Sequence, residues 1–419
     1  MGKVEPLRAL HYDTAVTGGL QPVVAPPYDV IDAEGRAALV AQSPNNIVVL
    51  DLPEGDDPYA SAAAILHEWI ANGVLIRDET PALWAVEQVY DAPGGAGKLT
   101  RRGFLSRMAV EEYGRGRVLP HERTHAGPKE DRLRLTRATA TNLSPIFALF
   151  GDPDGVASGA LEGVWPQEPF GEALGHEGTL TRVWRVDEPE VVAAVCEAAS
   201  QSELLIADGH HRYETARVFA DEEGSPAGAT SLLAYLVASE DPGLVVFPTH
   251  RLASGLGDAE WAALDAAIAE HFDVETVAGA TEPDGKGGDR VQIGLLDSRD
   301  GSTKMLTLRD PSSLDEPMEG RSAAYRQLDT GVLEALLLRG PLGLTEDRID
   351  HLDGFAYARD LQTAVDAVAS GASDVAFLMG PTPVDRIRAI AEAGEYMPPK
   401  STYFFPKIPT GIVLNPLDQ

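Results

Sequence analysis

The hydrophobic and polar positions of this 419-residue chain follow two different patterns. Apolar residues at helical spacing, such as Leu66, Trp69 and Ile70, predict an amphipathic helix over 61–72. Short continuous apolar runs, such as 204–207, predict buried strands. By the same rules further helices are predicted over 212–221, 231–239, 259–271, 356–370 and 383–393, and further strands over 47–50, 82–90, 101–110, 291–296, 304–308 and 375–379. The pattern predicts a mixed α/β fold, in which strands and helices are interspersed along the chain.

Length and composition divide the chain into regions. A chain of 419 residues is long enough for two or three domains. Residues 1–150 are predicted to form an N-terminal α/β region that carries a basic block, and residues 151–254 a core built around a strand, a turn and a helix. Residues 255–419 are predicted to form a C-terminal α/β region, whose proline-rich tail returns to the cleft of the core.

The charge balance limits the partners. The 65 acidic and 34 basic residues give a net charge of −31, which opposes binding to a phosphate backbone and argues against a nucleic-acid partner. The single cysteine, Cys196, excludes an internal disulfide framework. No apolar run reaches the roughly 18 residues that span a bilayer, and the first residues lack the apolar segment of a secretory signal. A cytoplasmic protein without a membrane partner is expected, and its oligomeric state is left open.

The densest group of reactive side chains occupies residues 208–212. Asp208 and Gly209 follow the apolar run, and His210, His211 and Arg212 open the next predicted helix. The N–H groups at a helix N-terminus bind anions, and glycine lets the backbone approach a ligand closely. The basic side chains add donors for phosphate, and the carboxylate can hold Mg²⁺ or accept a proton. We therefore predict that Gly209 and Arg212 bind phosphate, that Asp208 binds Mg²⁺, and that Asp208, His210 and His211 are candidate catalytic residues.

A second candidate lies in a basic segment of the otherwise acidic chain. Residues 98–137 contain 11 basic and 5 acidic residues, a surplus typical of a site for an anionic ligand. His121, Thr124, Lys129, Arg132 and Arg137 are predicted to surround phosphate groups. The alternative is a solvated basic helix face that pairs with acidic neighbours.

The tail supplies a third group of donors. Its prolines keep residues 397–411 extended. Lys400, Ser401, Thr402 and Lys407 are donors of the kind that bind phosphate, and they are predicted to join the site at Arg212. The alternative is an arm that clamps the fold through its aromatic residues.

Residues 121–125, HERTH, also match the H-E-x-x-H pattern of zinc peptidases. In that pattern one helix presents both histidines to the metal. Pro120 precedes the stretch, and Gly127 and Pro128 follow it, which leaves little room for such a helix. A zinc-dependent hydrolase is kept as an alternative function.

The strand, DGxxR turn and helix around Asp208 resemble a box of the ParB-like superfamily. That superfamily includes DNA-partition proteins that bind CTP and free-serine kinases that use ATP or ADP. The resemblance implies a ParB-like, serine-kinase-like nucleotide-binding core with additional α/β segments, in which Gly209 and Arg212 contact nucleotide phosphates. An acidic catalytic residue in the N-terminal region of the kinases makes Asp29, which follows a double proline, a further candidate base.

Five blocks spread along the chain resemble one family. They are VVAPPYDVI (23–31), PHERTHAGPKEDR (120–132), IADGHHRYETA (206–216), FPTHR (247–251) and MPPKSTYFFPK (397–407). Together they are similar to the prokaryotic domain-of-unknown-function family numbered ten-fifteen. The strong acidity and the lack of an evident helix-turn-helix separate this chain from the DNA-partition proteins.

The residues and the resemblance together predict a nucleotide-dependent phosphotransferase that acts on a small hydroxyl metabolite, with free L-serine as the named substrate. Its partners would be Mg²⁺, the small-molecule substrate and a nucleotide, and the phosphate donor, ATP or ADP, is left open. A ParB-like nucleotide-binding switch protein without turnover uses the same phosphate-binding groups, and it remains an alternative.

Overall fold

The structure, a computed structural model, describes residues 3–92, 97–113, 117–124, 126–175, 177–285 and 290–418. It confirms the mixed α/β class. The strands in chain order are β1 (Val4–Glu5), β2 (Leu10–Tyr12), β3 (Leu75–Arg77), β4 (Leu83–Asp91), β5 (Lys98–Ala109), β6 (Val118–Leu119), β7 (Thr141–Asn142), β8 (Ile146–Phe150), β9 (Gly171–Leu174), β10 (Leu180–Val186), β11 (Leu204–Asp208), β12 (Ser231–Ala238), β13 (Val245–Phe247), β14 (His250–Ala253), β15 (Phe272–Val277), β16 (Gln292–Asp297), β17 (Thr303–Leu308), β18 (Phe355–Ala358), β19 (Val375–Leu378), β20 (Tyr403–Phe405) and β21 (Asn415–Pro416).

The helices in chain order are α1 (Thr14–Thr17), α2 (Ala33–Gln42), α3 (Val48–Asp51), α4 (Pro58–Ala71), α5 (Ala126–Thr139), α6 (Val156–Leu161), α7 (Pro189–Gln201), α8 (His210–Ala220), α9 (Asp258–His271), α10 (Ala323–Arg326), α11 (Asp329–Leu333), α12 (Glu346–Asp350), α13 (Leu361–Ala369) and α14 (Val384–Glu392). A 3₁₀ turn, Tyr28–Val30, follows the double proline. None of the described helices combines the length and the apolarity needed to cross a membrane.

The chain divides into two compact units that do not follow its order. The first unit contains Met1–Pro120, Thr124–Leu244 and Pro406–Gln419, and the second contains His121–Arg123 and Val245–Phe405. Most of the second unit is therefore inserted into the sequence of the first.

The first unit is built on a mixed sheet in the order β6-β11-β8-β12-β5-β4-β10-β9, with β1 paired to β5. β11 is parallel to β6 and antiparallel to β8, and β8 is parallel to β12. The remaining strands pair antiparallel, and the strands predicted over 82–90 and 101–110 are β4 and β5, which pair as a hairpin. This order buries β11 between two neighbours and fixes the position of its carboxyl end.

The helix predicted over 231–239 is wrong, because this stretch is the strand β12. Every residue of β12 is buried between β8 and β5. A strand that is covered on both faces has no alternation of apolar and polar residues to distinguish it from a buried helix. The prediction over 47–50 errs in the opposite direction, since the structure has the helix α3 there. The single helix predicted over 356–370 is the strand β18 followed by α13.

Residues after 405 return to the first unit. β21 pairs with β7, and backbone hydrogen bonds join Thr410 to Ala25 and Leu414 to Leu10. Leu414 is fully buried in a core with Leu10 and other apolar residues. The return segment is thus held by backbone pairing and by apolar burial.

The second unit has its own antiparallel sheet, in the order β15-β17-β16-β19-β14-β18. The strands predicted over 291–296 and 304–308 are β16 and β17, which pair as a hairpin. Leu252, Ala364 and Leu378 belong to the apolar core between this sheet and α13.

Candidate functional site

The predicted strand, turn and helix are present in the first unit. β11 ends at Asp208, and Gly209 adopts a left-handed conformation with φ 92° before α8 begins at His210. A register shift between Ile206 and Asp208 in the pairing with β8 changes the course of the strand just before the turn. A Cβ atom at Gly209 would lie 3.0 Å from the Ile146 side chain and 3.1 Å from the guanidinium of Arg212. Both the conformation and this close packing favour glycine.

Asp208 is bound by two cations. Arg212 Nη2 donates to Asp208 Oδ2 at 2.7 Å, and Lys407 Nζ contacts Asp208 Oδ1. Burial would raise the pKa of Asp208, but the charges of Lys407 and Arg212 outweigh it and lower the pKa to about 2. Burial would lower the pKa of Lys407, but the Asp208 charge outweighs it and raises this pKa. Both groups are therefore charged at neutral pH.

The backbone around Lys407 is held by two side chains from the sheet. Arg101 Nη2 donates to the Pro406 carbonyl and, at 2.5 Å, to Gln88 Oε1. Gln88 Nε2 donates to the Lys407 carbonyl at 3.2 Å. Arg101 is fully buried, and its guanidinium lies 4.7 Å from the centre of the Phe147 ring. The role of Arg101 and Gln88 was not predicted from the sequence, since both lie within predicted strands and no local motif marks them as site residues.

Arg132, in α5, contacts the segment that follows the double proline. The Arg132 guanidinium lies 4.4 Å from the centre of the Tyr28 ring. Its Nη1 donates to the Asp51 carbonyl at 2.8 Å and to Asp51 Oδ1 at 2.9 Å, and its Nε and Nη2 donate to Asp131 at 2.8 and 2.6 Å. Asp29 is exposed in the 3₁₀ turn, and its charge contributes to the raised pKa of Lys407.

Asp51 is a residue that sequence reasoning missed. It ends an apolar run and is 3% exposed. Burial raises its pKa, while the charges of Arg132 and Arg212 oppose that shift. Asp51 Oδ2 has no hydrogen-bond partner among the residues described. A carboxylate that closes an apolar run was the available signal, but a lone acidic residue is too common a feature to mark a site.

The predicted site residues fall into two groups. Eleven lie in the first unit: Asp29, Thr124, Lys129, Arg132, Arg137, Asp208, Gly209, His210, His211, Arg212 and Lys407. Electrostatic interactions, in part through Asp51, link six of them into one cluster: Asp29, Arg132, Asp208, His210, Arg212 and Lys407. The Lys129 carbonyl accepts from Thr215 at 3.5 Å, which places α5 beside α8. Thr124 is half-buried before α5 and His211 is half-buried in α8.

The other four lie in the second unit: His121, Lys400, Ser401 and Thr402. His121 is fully buried, and its Nε2 lies 2.8 Å from the Thr402 hydroxyl. The Ser401 hydroxyl donates to the Pro398 carbonyl at 2.6 Å. Lys400 is exposed with φ 56°. The tail thus divides, with Lys407 in the first unit and 400–402 in the second.

The described residues contain no group of three or more histidine, cysteine, aspartate or glutamate side chains that could hold a metal ion. His125, one of the two histidines of the zinc-peptidase pattern, lies outside the described residues. Asp208 uses both carboxylate oxygens for Lys407 and Arg212. Magnesium held by Asp208 would therefore take its remaining ligands from phosphate or water, as Mg²⁺ commonly does.

Searches among solved structures find several similar folds. A conserved hypothetical protein from Pyrococcus furiosus is 15% identical with a TM-score of 0.35, over 70% of this chain and 90% of that one. A free serine kinase in complex with AMP is 14% identical with a TM-score of 0.35, over 71% and 89%. SbnI with a C-terminal truncation from Staphylococcus aureus is 11% identical with a TM-score of 0.38, over 75% and 89%.

Curated proteins give no significant match. The family described as "Protein of unknown function (DUF1015)" matches residues 4–331, which is more than half of the chain and spans the Asp208–Arg212 turn. The five sequence blocks had indicated the same family, and the chain belongs to it.

Proposed function

We propose that this protein is a nucleotide-dependent phosphotransferase, which transfers a phosphoryl group to the hydroxyl of a small metabolite such as free L-serine. The observation that carries the proposal is the meeting of Lys407 and Arg212 at Asp208, where a buried strand ends and a helix begins. Phosphoryl transfer depends mainly on positioned positive charge around the phosphate. A strand end, a glycine turn and a helix N-terminus supply further donors at the same place.

Within this proposal the nucleotide phosphates bind at the N-terminus of α8. Gly209 brings the backbone close, and Arg212 has guanidinium donors beyond the two contacts to Pro145 and Asp208. Lys407 contributes a second positive charge. Asp208 and phosphate oxygens together would hold Mg²⁺, which neutralises charge on the transferred phosphoryl group.

The pKa of Asp208 decides between the two roles considered for it. A base works best when its pKa is near the operating pH, and a carboxylate with a pKa of about 2 is a weak proton acceptor at pH 7. We therefore assign Asp208 to holding the cations and the metal. Asp29, exposed beside this cluster, is the candidate base, with His210 and His211 as further candidates.

A thermal-shift series with ATP, ADP, CTP and pyrophosphate, each with and without Mg²⁺, tests binding. A ligand present at 100 times its Kd stabilises the folded state by about 2.7 kcal/mol, which gives a measurable rise in Tm. Turnover is then measured by ³¹P NMR with L-serine and the nucleotide that binds, and phosphoserine is the expected product. If none of these nucleotides raises Tm, the proposal is wrong.

A nucleotide-binding switch protein without turnover is the second candidate. It is favoured by the pairing of both Asp208 oxygens with protein cations, because these cations compete with Mg²⁺ for the same oxygens. Nucleotide binding with no hydroxyl-dependent consumption of the nucleotide would select this candidate.

A further inference from the structure

The second unit contains a polar cavity of about 590 Å³. Its wall includes residues 380–383, from the loop between β19 and α14, together with the first residues of β16 and α11. Cavities that hold small molecules commonly have volumes of about 300–1,000 Å³. The described lining contains none of the site residues that were predicted from the sequence. This cavity is therefore a candidate for a second ligand site.

The charged side chains of the described lining balance each other. They are two carboxylates, Asp284 and Asp329, and two guanidinium groups, Arg290 and Arg386, so this lining carries no net charge. Asp284 and Arg290 are exposed, whereas Asp329 and Arg386 are half-buried. Charges that are less exposed to water act more strongly on a ligand. Asp329 and Arg386 are thus the charges that decide what the cavity binds.

Asp329 and Arg386 line the same cavity without forming an ion pair with each other. The Asp329 carboxylate accepts from two backbone N–H groups, that of Thr330 at 2.7 Å and that of Gly380 at 3.1 Å. Burial raises the pKa of Asp329. Arg386 Nη1 donates to the Gln327 carbonyl at 3.0 Å, and the guanidinium makes no other hydrogen bond to a described residue. Among the described residues, each charge therefore lacks an opposite charge in direct contact.

Thr382 and the N-terminus of α14, just before Arg386 in the chain, supply further donors. Thr382 is 5% exposed and lines the cavity, and its hydroxyl makes no hydrogen bond to a described residue. Pro383 precedes α14, whose first N–H groups have no side-chain cap. A guanidinium, a hydroxyl and the N–H groups of a helix N-terminus are donors from which a carboxylate accepts. A buried hydroxyl without a partner is costly, and a ligand carboxylate would supply that partner.

We propose that this cavity binds a free amino acid through both of its charged groups. Asp329 binds the ammonium group, and Arg386 and Thr382 bind the carboxylate. A zwitterion matches the zero net charge of the lining and gives each of the two half-buried charges a partner. Two glutamine side chains also line the cavity and offer amide groups to a polar side chain of the ligand. The site shares no residue with the Asp208 cluster, so the amino acid bound here is not the acceptor of the proposed phosphotransferase.

The unmodified full-length protein provides the first test. A thermal-shift series with the twenty amino acids is expected to identify at least one that raises Tm. Calorimetric titration then compares that amino acid with its N-acetyl derivative, which lacks the ammonium group, and with its carboxamide, which lacks the carboxylate. Each derivative is expected to bind at least tenfold more weakly, because one charge-assisted contact is lost. A series in which no amino acid raises Tm, or derivatives that bind equally well, would overturn the inference.

The second test locates the bound amino acid. Arg386→Gln is expected to weaken its binding at least tenfold. The matched control is Arg388→Gln, in the same helix but outside the cavity lining, and it should leave the affinity within about threefold. Arg212→Ala should likewise leave it unchanged. Binding that is lost in Arg212→Ala and kept in Arg386→Gln would place the amino acid at the Asp208 turn and would refute the site.

Thr382→Val separates ligand binding from a structural role. Without ligand its Tm should not fall, because the hydroxyl makes no hydrogen bond to a described residue. With the amino acid present, the affinity should fall roughly threefold to tenfold, as expected for one uncharged donor. If Arg386→Gln does not fold, as judged by circular dichroism, this variant and the two derivatives decide. A Tm that falls together with an unchanged affinity would count against the site.

Discussion

Asp208 and Lys407 carry opposite charges that stabilise each other in a largely buried position. The side chains are 19% and 17% exposed. Lys407 lowers the pKa of Asp208, and Asp208 raises the pKa of Lys407, so both groups keep their charge over a wider range of pH. An ion pair at this depth is screened less by salt than a surface pair. Because the pKa of Asp208 differs from its ordinary value, the contribution of the pair is measurable as a dependence of the free energy of unfolding on pH.

The first prediction concerns that dependence. The folded pKa of Asp208, about 2, lies below its ordinary value of 3.8. Ionised Asp208 therefore stabilises the fold above about pH 4, by about 2 kcal/mol, and this contribution is lost as the pH falls through 2. Asp208→Asn should thus be less stable than the unmodified protein by about 2 kcal/mol at pH 7, and by about half as much at pH 3.

Urea unfolding at pH 7, 5 and 3 measures this difference. A difference between the two proteins that stays constant over that range would contradict the pKa assigned to Asp208.

The second prediction separates binding from turnover. Arg212→Ala is expected to weaken nucleotide binding roughly tenfold to a hundredfold, because a charge-assisted contact to phosphate is lost. Asp208→Asn should leave the affinity closer to intact and lower kcat, since an amide is a poorer ligand for Mg²⁺. Arg137→Ala is the matched control, because Arg137 pairs with Glu222 at the surface. Normal nucleotide affinity in Arg212→Ala would remove this residue from the site.

At the scale of elements, the site depends on how β11 passes into α8. The apolar run 204–207 and the sequence Asp-Gly made this transition predictable from the chain, because both signals are local. The strand β12 was not predictable in the same way, since its type is decided by burial on both faces.

The third prediction concerns Gly209. Gly209→Ala should destabilise the fold about 1 kcal/mol more than Gly155→Ala and should weaken nucleotide binding. Both glycines precede a helix with positive φ, at 92° and 66°. A Cβ at Gly209 would meet Ile146 and Arg212 at 3.0 and 3.1 Å, whereas a Cβ at Gly155 would meet nothing within 4 Å. Thermal unfolding measures both variants, and equal losses of stability would show that the close packing at Gly209 is unimportant.

The site as a whole was only partly predictable from the sequence. The Asp208–Arg212 turn is a compact motif, and Lys407 was expected to join it because its segment is rich in donors. Asp51 was missed, because its partner Arg132 lies 81 residues away and nothing local marks the pair. The unit boundary at Pro406, between Lys400 and Lys407, was not predicted either, because no change in composition marks it.

At the scale of the whole molecule, the first unit is interrupted by the second. Both ends of the interruption lie beside β5 in the first unit. Gly243 packs against the Thr100 backbone, and Arg101 binds the Pro406 carbonyl. Adjacent ends of this kind are where insertions are tolerated, because the host needs no rearrangement to accept them.

The fourth prediction follows from these adjacent ends. A chain in which a Gly/Ser linker of about eight residues replaces 245–405 should fold and bind nucleotide, since Asp208, Arg212 and Lys407 all remain. Circular dichroism and the thermal-shift series measure the two properties. A folded chain that no longer binds nucleotide would mean that residues of the second unit, such as Lys400 and Ser401, are required.

The distance between Asp208 and Lys407 along the chain, 199 residues, also governs when the site forms during synthesis. A ribosome that adds about 5–20 residues per second needs about 10–40 s to cover that distance. Throughout this interval the nascent chain has Asp208 and Arg212 but not yet Lys407, so Asp208 lacks one of its two cations. Under the proposed function, the nucleotide site is completed only after translation through 245–405, and a ribosome that stalls there carries a chain without Lys407.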